Sequence, residues 1–366
     1  MSTDSSRQAH EQRMARIYET RIQPDLNAVP PAPDGTKTFV MVCGPMGAGK
    51  TRAADRYMDR LQNEFDAARP DFVDDETDGF VHLDMDTLRE EYPGYRSLAH
   101  GVDGGLNVGA ETQRQASRWF DKALISSLDE GKNVLAEGSR PNAWLLEQAR
   151  SRGYHVVVAS IVCSEEESRS GVLARYVQQV EETSEKLGEG RSFGRNVPVD
   201  IQKNAINQLL PDLENAKEHR LADEIHLHER FNSFSYFSTR LEIQSDGNKS
   251  WSDATPLHQP VTELRDRRWD PEYAQGMNEH IDKLADNGVV KGDGRLRKEC
   301  FAIRSMAEPK IKESLGDTSM KPTALLGIHH KNRKARIKKT PDRNVNPAPR
   351  AAIDRSTTKR YPGLST

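Results

Sequence analysis

Eight residues, Gly44-Pro45-Met46-Gly47-Ala48-Gly49-Lys50-Thr51, restrict what this chain can fold into more than any other stretch. They fill G-x-x-x-x-G-K-[ST] at every fixed position. Before them runs the apolar, β-prone segment Thr38-Phe39-Val40-Met41-Val42-Cys43, and after them Arg52-Ala53-Ala54-Asp55-Arg56-Tyr57-Met58 reads as a helix. Strand, glycine loop and helix in that order are the setting a phosphate-binding loop requires. Glycines let the backbone bend until successive N–H groups point inward at phosphate oxygens. The helix N-terminus adds partial positive charge, Lys50 a full one, and Thr51 a hydroxyl for Mg²⁺. A nucleoside triphosphate is therefore the expected ligand.

The pattern that follows alternates strand and helix. Phe80 to Asp86 reads as a second strand ending in two carboxylates, and Val108 to Leu128 carries apolar residues at helical spacing. Asn133 to Glu137 is a third strand, and Pro141 to Arg150 a helix with proline in its first turn. His155 to Val162 is apolar throughout, which suits a central strand covered on both faces. Helices are expected from about Ser164, where Glu165-Glu166-Glu167 fits an N-terminus, and from Pro198 to Leu221; Glu224 to His228 alternates like an edge or final strand. This order predicts an α/β fold of P-loop NTPase type, three layers α/β/α around a mostly parallel sheet, with a helical and irregular C-terminal extension.

Four regions are expected: a flexible leader with a short helix (1–36), the nucleotide-binding domain (37–246), a helical extension (247–328) and a basic, disorder-like tail (329–366). Within the extension, Trp251 to Trp269 reads as irregular, and Asp270 to Asp286 and Leu296 to Leu315 as helices. The tail carries Lys331, Arg333, Lys334, Arg336, Lys338 and Lys339. Such a run suits contact with nucleic acid or an anionic membrane, but a solvated tail is the favoured reading. A net charge of −3 over 366 residues argues for neither partner. No apolar run reaches the ~18 residues of a membrane span. Cys43, Cys163 and Cys300 lie far apart, as reduced thiols do, so cytoplasmic action is expected, either at home or as an effector delivered to another cell.

Beyond the loop, several residues fall where phosphoryl transfer to a hydroxyl needs them. Ligands of open α/β sheets bind beyond the carboxyl ends of the strands. Asp84 and Asp86 end the second strand there, two apart and so on one face. One is expected to cap the following helix or support the Mg²⁺ shell, and Asp86 to act as base on the acceptor hydroxyl. Glu137, a carboxylate ending an apolar strand, is costly there unless a ligand or partner satisfies it. Arg175 on a long helix and Arg195 in a glycine-containing loop suit the lid arginines of small P-loop kinases. Asp121 by position alone reads as a solvated helix face. Gly101 to Gly109 does not follow a strand and reads as a mobile loop, and His226 and His228 lack further ligands for a metal site.

Taken together, the phosphate loop, Leu83-Asp84-Met85-Asp86-Thr87-Leu88-Arg89 with Tyr92-Pro93-Gly94-Tyr95, Ala136-Glu137-Gly138-Ser139, Arg175-Tyr176 and Gly194-Arg195-Asn196-Val197-Pro198 resemble the zeta toxin family of P-loop kinases. The likeness spans about Thr38 to Leu227. It implies that Gly44, Gly47, Ala48, Gly49, Lys50, Thr51 and Arg52 bind ATP, with Mg²⁺ on Thr51. Asp86 is then the general base, and Arg175 and Arg195 hold the transferred phosphate. Asp84, Asp121, Glu137 and, more loosely, Arg140 line the acceptor site. The acceptor implied is UDP-N-acetylglucosamine, with NAD or another nucleotide or small molecule as the alternative, and an antitoxin or immunity protein is the implied partner. Outside kinases, the alternative is a nucleotide-regulated nucleic-acid-binding protein with the basic tail as its working surface.

Overall fold

Two apolar faces on every central strand force this chain into layers. The computed structural model describes residues 3–33, 37–68, 79–99, 101–187, 194–230, 235–245 and 247–316. In chain order these form α1 (Thr3–Ile17), a π-helical turn (Tyr18–Ile22), α2 (Gln23–Ala28), β1 (Thr38–Cys43), α3 (Lys50–Ala68), β2 (Val81–Leu83), α4 (Met85–Glu90) and α5 (Tyr95–Leu98). Then come α6 (Gly101–Asp129), β3 (Val134–Gly138), α7 (Ala143–Ser151), β4 (His155–Val162), α8 (Glu165–Leu187) and α9 (Val199–Glu218). The chain continues with β5 (Glu224–Glu229), β6 (Ser235–Ile243), β7 (Lys249–Trp251), α10 (His258–Asp266), α11 (Pro271–Asp286), α12 (Gly288–Gly292) and α13 (Gly294–Leu315).

The strands make one sheet in the order β2-β3-β1-β4-β5-β6-β7. All pairings from β2 to β5 are parallel, and β6 and β7 add antiparallel. Along β1, Phe39, Met41 and Cys43 enter a core shared with α1, α2, α6, α7, α9 and α10, while Val40 and Val42 face Ala53, Ala54, Tyr57 and Leu61 of α3. The period-2 alternation of a strand thus feeds two helical layers at once. Because β1 lies between β3 and β4, the chain winds away from it in both directions. The crevice beyond its carboxyl end is the place where such sheets bind ligands.

A third core lies beside the sheet. Leu173, Tyr176 and Val177 of α8 pack with Trp269, Met277, Ile281, Leu296, Cys300 and Ile303 from the C-terminal helices and the turn before them. The extension is therefore fastened to α8 by buried apolar surface.

Several expectations change. Residues 3–33 are helical over most of their length, more than the one short helix expected there. Helix runs from Thr3 to Ala28 with Met14, Tyr18, Ile22 and Leu26 buried. Trp119 Nε1 donates to the Met14 carbonyl at 3.2 Å, and Lys132 Nζ to that of Leu26 at 2.8 Å. Each such buried side chain contributes about 1.5–3 kcal/mol, enough together to dock a segment of this length. Gly101 to Gly109 is not a loop, because α6 begins at Gly101. A helix of 29 residues, anchored downstream by buried Trp119, Phe120 and Leu124, tolerates a glycine-rich start. Proline precedes α7 rather than sitting in its first turn, and Asn142 caps that helix. β5 is neither edge nor last strand, since β6 and β7 cover it. The stretch expected to be irregular contains α10. Residues 329–366 lie outside the described residues.

Glu224 at the start of β5 is nearly fully buried. It accepts from His155 Nε2 at 3.2 Å and His226 Nε2 at 2.8 Å, with Arg60 Nη1 and Arg240 Nε at 3.7 and 3.3 Å. The two imidazole hydrogen bonds, aided by Arg60, hold its carboxyl well below the usual range. A carboxylate depressed in the folded state contributes stability in full above its unfolded value of about 4.3. That contribution drains away as pH falls below this value. Glu224→Gln should cost about 3 kcal/mol near pH 7. In urea unfolding the gap to wild type should narrow steadily below about pH 4. A gap independent of pH would contradict this.

Candidate active site

The phosphate loop joins β1 to α3, and its shape depends on α8. Gly47 sits at φ +76°, and a Cβ there would lie 2.2 Å from the Ser168 carbonyl oxygen and 2.6 Å from Val172 N. A Cβ on Gly171 would lie 2.2 Å from the Gly47 carbonyl oxygen. Backbone therefore touches backbone, and neither position has room for a side chain. Ser168 Oγ adds a hydrogen bond to the Met46 carbonyl at 2.7 Å. Lys50 Nζ, on the first residue of α3, donates to the carbonyls of Gly44 at 3.1 Å and Pro45 at 3.3 Å. Burial, with Arg175 nearby, pulls its ammonium below the ordinary lysine value. Thr51 is exposed on the first turn of α3, with its residue at the rim of the loop. The side chain of Arg52 lies outside the described part.

Asp84 and Asp86 do not share a strand face. β2 ends at Leu83, Asp84 is the N-cap of α4, and Asp86 lies in its first turn. Asp84 Oδ1 accepts from Asp86 N at 3.1 Å, and its Oδ2 from Thr87 N and Oγ1 at 3.3 Å each. Burial, with Asp86 and Glu137 close by, pushes its carboxyl above the usual range. Its acceptors serve the helix, which leaves Asp86 to face the site.

Three guanidinium groups surround Asp86. Arg89 Nη1 is 2.7 Å from Oδ1, Arg195 Nη1 bonds the same oxygen, and Arg175 Nη1 is 3.7 Å from Oδ2. Burial alone would raise the Asp86 carboxyl, but Arg195, Arg175 and Arg89 outweigh it and hold it below the usual range. Arg195 is located by its backbone N, which donates to Gln179 Oε1 of α8 at 2.8 Å. Gly194 before it packs against the Tyr176 carbonyl. Nε and Nη2 of Arg175 are buried with no hydrogen-bond partner among the described residues. Orphaned cationic donors are costly, and they point to an anion at this place.

The remaining expected residues lie elsewhere or are engaged. Glu137 Oε1 at the end of β3 pairs with His82 Nε2 at 2.9 Å, which accounts for a carboxylate there. Arg140 reaches Asp212 of α9 at 2.5 Å. Asp121 lines a shallow groove between α6 and α7 with Lys122, Ile125, Asp129 and Trp144. It lies eight residues, or about 12 Å of helix rise, beyond Gln113, the α6 residue that meets Arg89. Arg89, Gln113, Ser168 and Gly171 went unassigned from the sequence. Only Arg89 carried a signal, its i,i+3 spacing from Asp86, which a strand placement of Asp86 concealed.

Residues 25–242, more than half of the chain, match the Zeta toxin family. The chain belongs to the zeta toxin family. It is a P-loop kinase, a phosphotransferase. A chain from the PezAT chromosomal toxin–antitoxin system of Streptococcus pneumoniae shares its fold, with a TM-score of 0.54 at 16% identity, covering 74% of this chain and 98% of that one. A chain of the AvrRxo1-ORF1:-ORF2 complex with ATP aligns with a TM-score of 0.41 at 15% identity over 85% of this chain and 89% of that one. No curated protein matches the chain. Among the described residues no helix is long and apolar enough to cross a membrane, and no three His, Cys, Asp or Glu gather to hold a metal ion. Mg²⁺ carried by a nucleoside triphosphate needs few protein ligands, so the Thr51 hydroxyl at the loop rim fits that role.

Gly171→Ala should push the phosphate loop away from α8 and weaken nucleoside triphosphate binding by about 10-fold or more. Ser168→Ala, losing one hydrogen bond of about 1 kcal/mol, should weaken it by about five-fold. Calorimetric titration with an ATP analogue measures both. Unchanged affinity in the glycine variant would mean that the loop does not lean on α8 in solution.

Proposed function

We propose that this zeta toxin-family kinase transfers the γ-phosphoryl group of ATP, with Mg²⁺, to a sugar hydroxyl of UDP-N-acetylglucosamine. The observation that carries the proposal is Asp86 facing Arg175 and Arg195, with unused Arg175 donors, on the same sheet edge as Lys50. On this reading the loop N–H groups and Lys50 hold the donor phosphates. Mg²⁺ beside Thr51 would neutralise charge on the β- and γ-oxygens. Arg175 and Arg195 turn to the moving phosphoryl group. The acceptor oxygen forms a bond to the γ-phosphorus as the bond to the ADP oxygen breaks, and the acceptor proton passes to Asp86. The kinase acts in the cytoplasm of its own or a recipient cell. A dedicated antitoxin, by extension from the system to which the pneumococcal protein belongs, would hold it silent.

A second acceptor is favoured by one observation. Asp121 faces the α6–α7 groove and Arg140 is engaged with Asp212. Two of the contacts that the family likeness implies for the nucleotide sugar are thus not gathered around Asp86. The family likeness ties neither residue to the alternative acceptor, the ribose of NAD.

Incubation with γ-labelled ATP, Mg²⁺ and separate acceptors decides between them. Label in UDP-N-acetylglucosamine supports the proposal, label in NAD replaces it with the second reading, and label in neither overturns both. Asp86→Asn should lower kcat by about 10²–10⁴-fold while leaving the ATP affinity within about two-fold. Lys50→Ala should weaken both binding and turnover. An active Asp86 variant would remove the base from the account.

A further inference from the structure

Of the three cations on Asp86, two come from across the site and one does not. Arg175 belongs to α8 and Arg195 to the segment ahead of α9, whereas Arg89 sits on α4 itself, one turn from Asp86. Arg89 is also fastened at its far end. Its Nη2 donates to Gln113 Oε1 of α6, and Gln113 Nε2 donates in turn to Ser117 Oγ at 3.0 Å. The planar guanidinium is thereby bridged between two fixed acceptors, a geometry a lysine cannot reproduce. Its side chain is 12% exposed, against 37% for Asp86, so the cation is covered while the carboxylate stays open.

We propose that Arg89, braced by Gln113, is the positioning residue of Asp86, holding Oδ1 so that Oδ2 is presented to the acceptor hydroxyl. The inference rests on the reading of Asp86 as the base. Arg175 and Arg195 are the arginines placed to turn away, since neither belongs to α4; Arg175 has two buried donors without a hydrogen-bond partner among the described residues, against one, Nε, on Arg89. Arg89 stays, because it moves with the helix that carries Asp86. When the phosphoryl group takes the other two, one permanent cation remains beside the carboxylate. Oδ2, whose one cationic contact among the described residues is Arg175 at 3.7 Å, is then the oxygen that receives the proton.

The pH dependence of kcat reads this directly, because it reports the enzyme–substrate complex. Facing Asp86 are Asp84, Arg89 and Glu90 of the α4 segment and Tyr95 of α5. From the opposite side come Arg175 and Arg195, and Lys50 of α3 lies within electrostatic reach. Only Arg89 changes in the comparison. Arg89 lowers the Asp86 value, so Arg89→Ala should move the acid limb of kcat up by about one pH unit and lower kcat by about 10–100-fold, with KM for ATP within about two-fold. Arg89→Lys should restore the limb but not the full kcat, since charge returns without the bridge. Gln113→Ala, on the exposed face of α6, should lower kcat several-fold and leave the limb in place. Normal kcat and an unmoved limb in Arg89→Ala would overturn the inference, as would a large rise in its KM for ATP. Asp86→Asn separates the two failures. If that variant is active, the base reading fails. If it is inactive while Arg89→Ala behaves as wild type, only the positioning role fails.

Discussion

The contact between Gly47 and Gly171 is the constraint on which the rest of this site depends. A phosphate loop needs its backbone held in a curve that no side chain supports, and here the support is another backbone. Helix α8 supplies it, with Ser168 bonding the loop at Met46. The same helix carries Arg175 and, through Gln179, fixes Arg195. What holds α8 therefore holds the site. Its far face is buried by the C-terminal helices, and its first turns are pinned by polar contacts. Glu167, 1% exposed, accepts from Ser164 N at 2.8 Å and from Tyr273, and Arg169 makes two 2.7 Å bonds to Glu299 of α13. Burial alone would raise the Glu167 carboxyl, but the hydrogen bonds from Tyr273 and Ser164, with Arg230 and Arg267 nearby, hold it below its usual range and mark it as a satisfied ion, not a spare one. The helices α11 to α13 thus buttress α8.

Electrostatics decide the division of labour at the other side of the cleft. Among the described residues three guanidinium groups reach the one partly open carboxylate of Asp86, a clustering of positive charge that suits an anionic group at this place. Such a base is weak while all three remain. On the proposed reading, its basicity recovers as Arg175 and Arg195 turn to another anion, which would tie proton transfer to the arrival of the donor phosphates.

Much of this was legible in the sequence, because local chemistry and fold agreed there. The loop residues, the apolar run of β4 and the acidic start of α8 each have one physical solution, and the structure adopts it. The misplacement of Asp86 came from reading Phe80 to Asp86 by strand alternation. An aspartate that can cap a helix ended the strand three residues sooner. The N-terminal segment shows in the sequence only as a short amphipathic patch around Met14, Ile17 and Tyr18, because its buried residues recur every four positions within a polar stretch. The glycine-rich start of α6 was hidden because tertiary anchoring outweighs weak helix propensity. Gln113 and Gly171 had no signal at all, since their meaning comes only from partners distant in sequence.

The central claim is that Asp86 is held by Arg89 while Arg175 and Arg195 serve the transferred group. A crystal structure of the protein with Mg²⁺ and a non-hydrolysable ATP analogue tests it most directly. The account predicts both lid arginines on the γ-phosphate, with Arg89 still bridging Asp86 Oδ1 and Gln113. Arg195 remaining on Asp86 beside a fully bound analogue, or Arg89 on the phosphate, would contradict it.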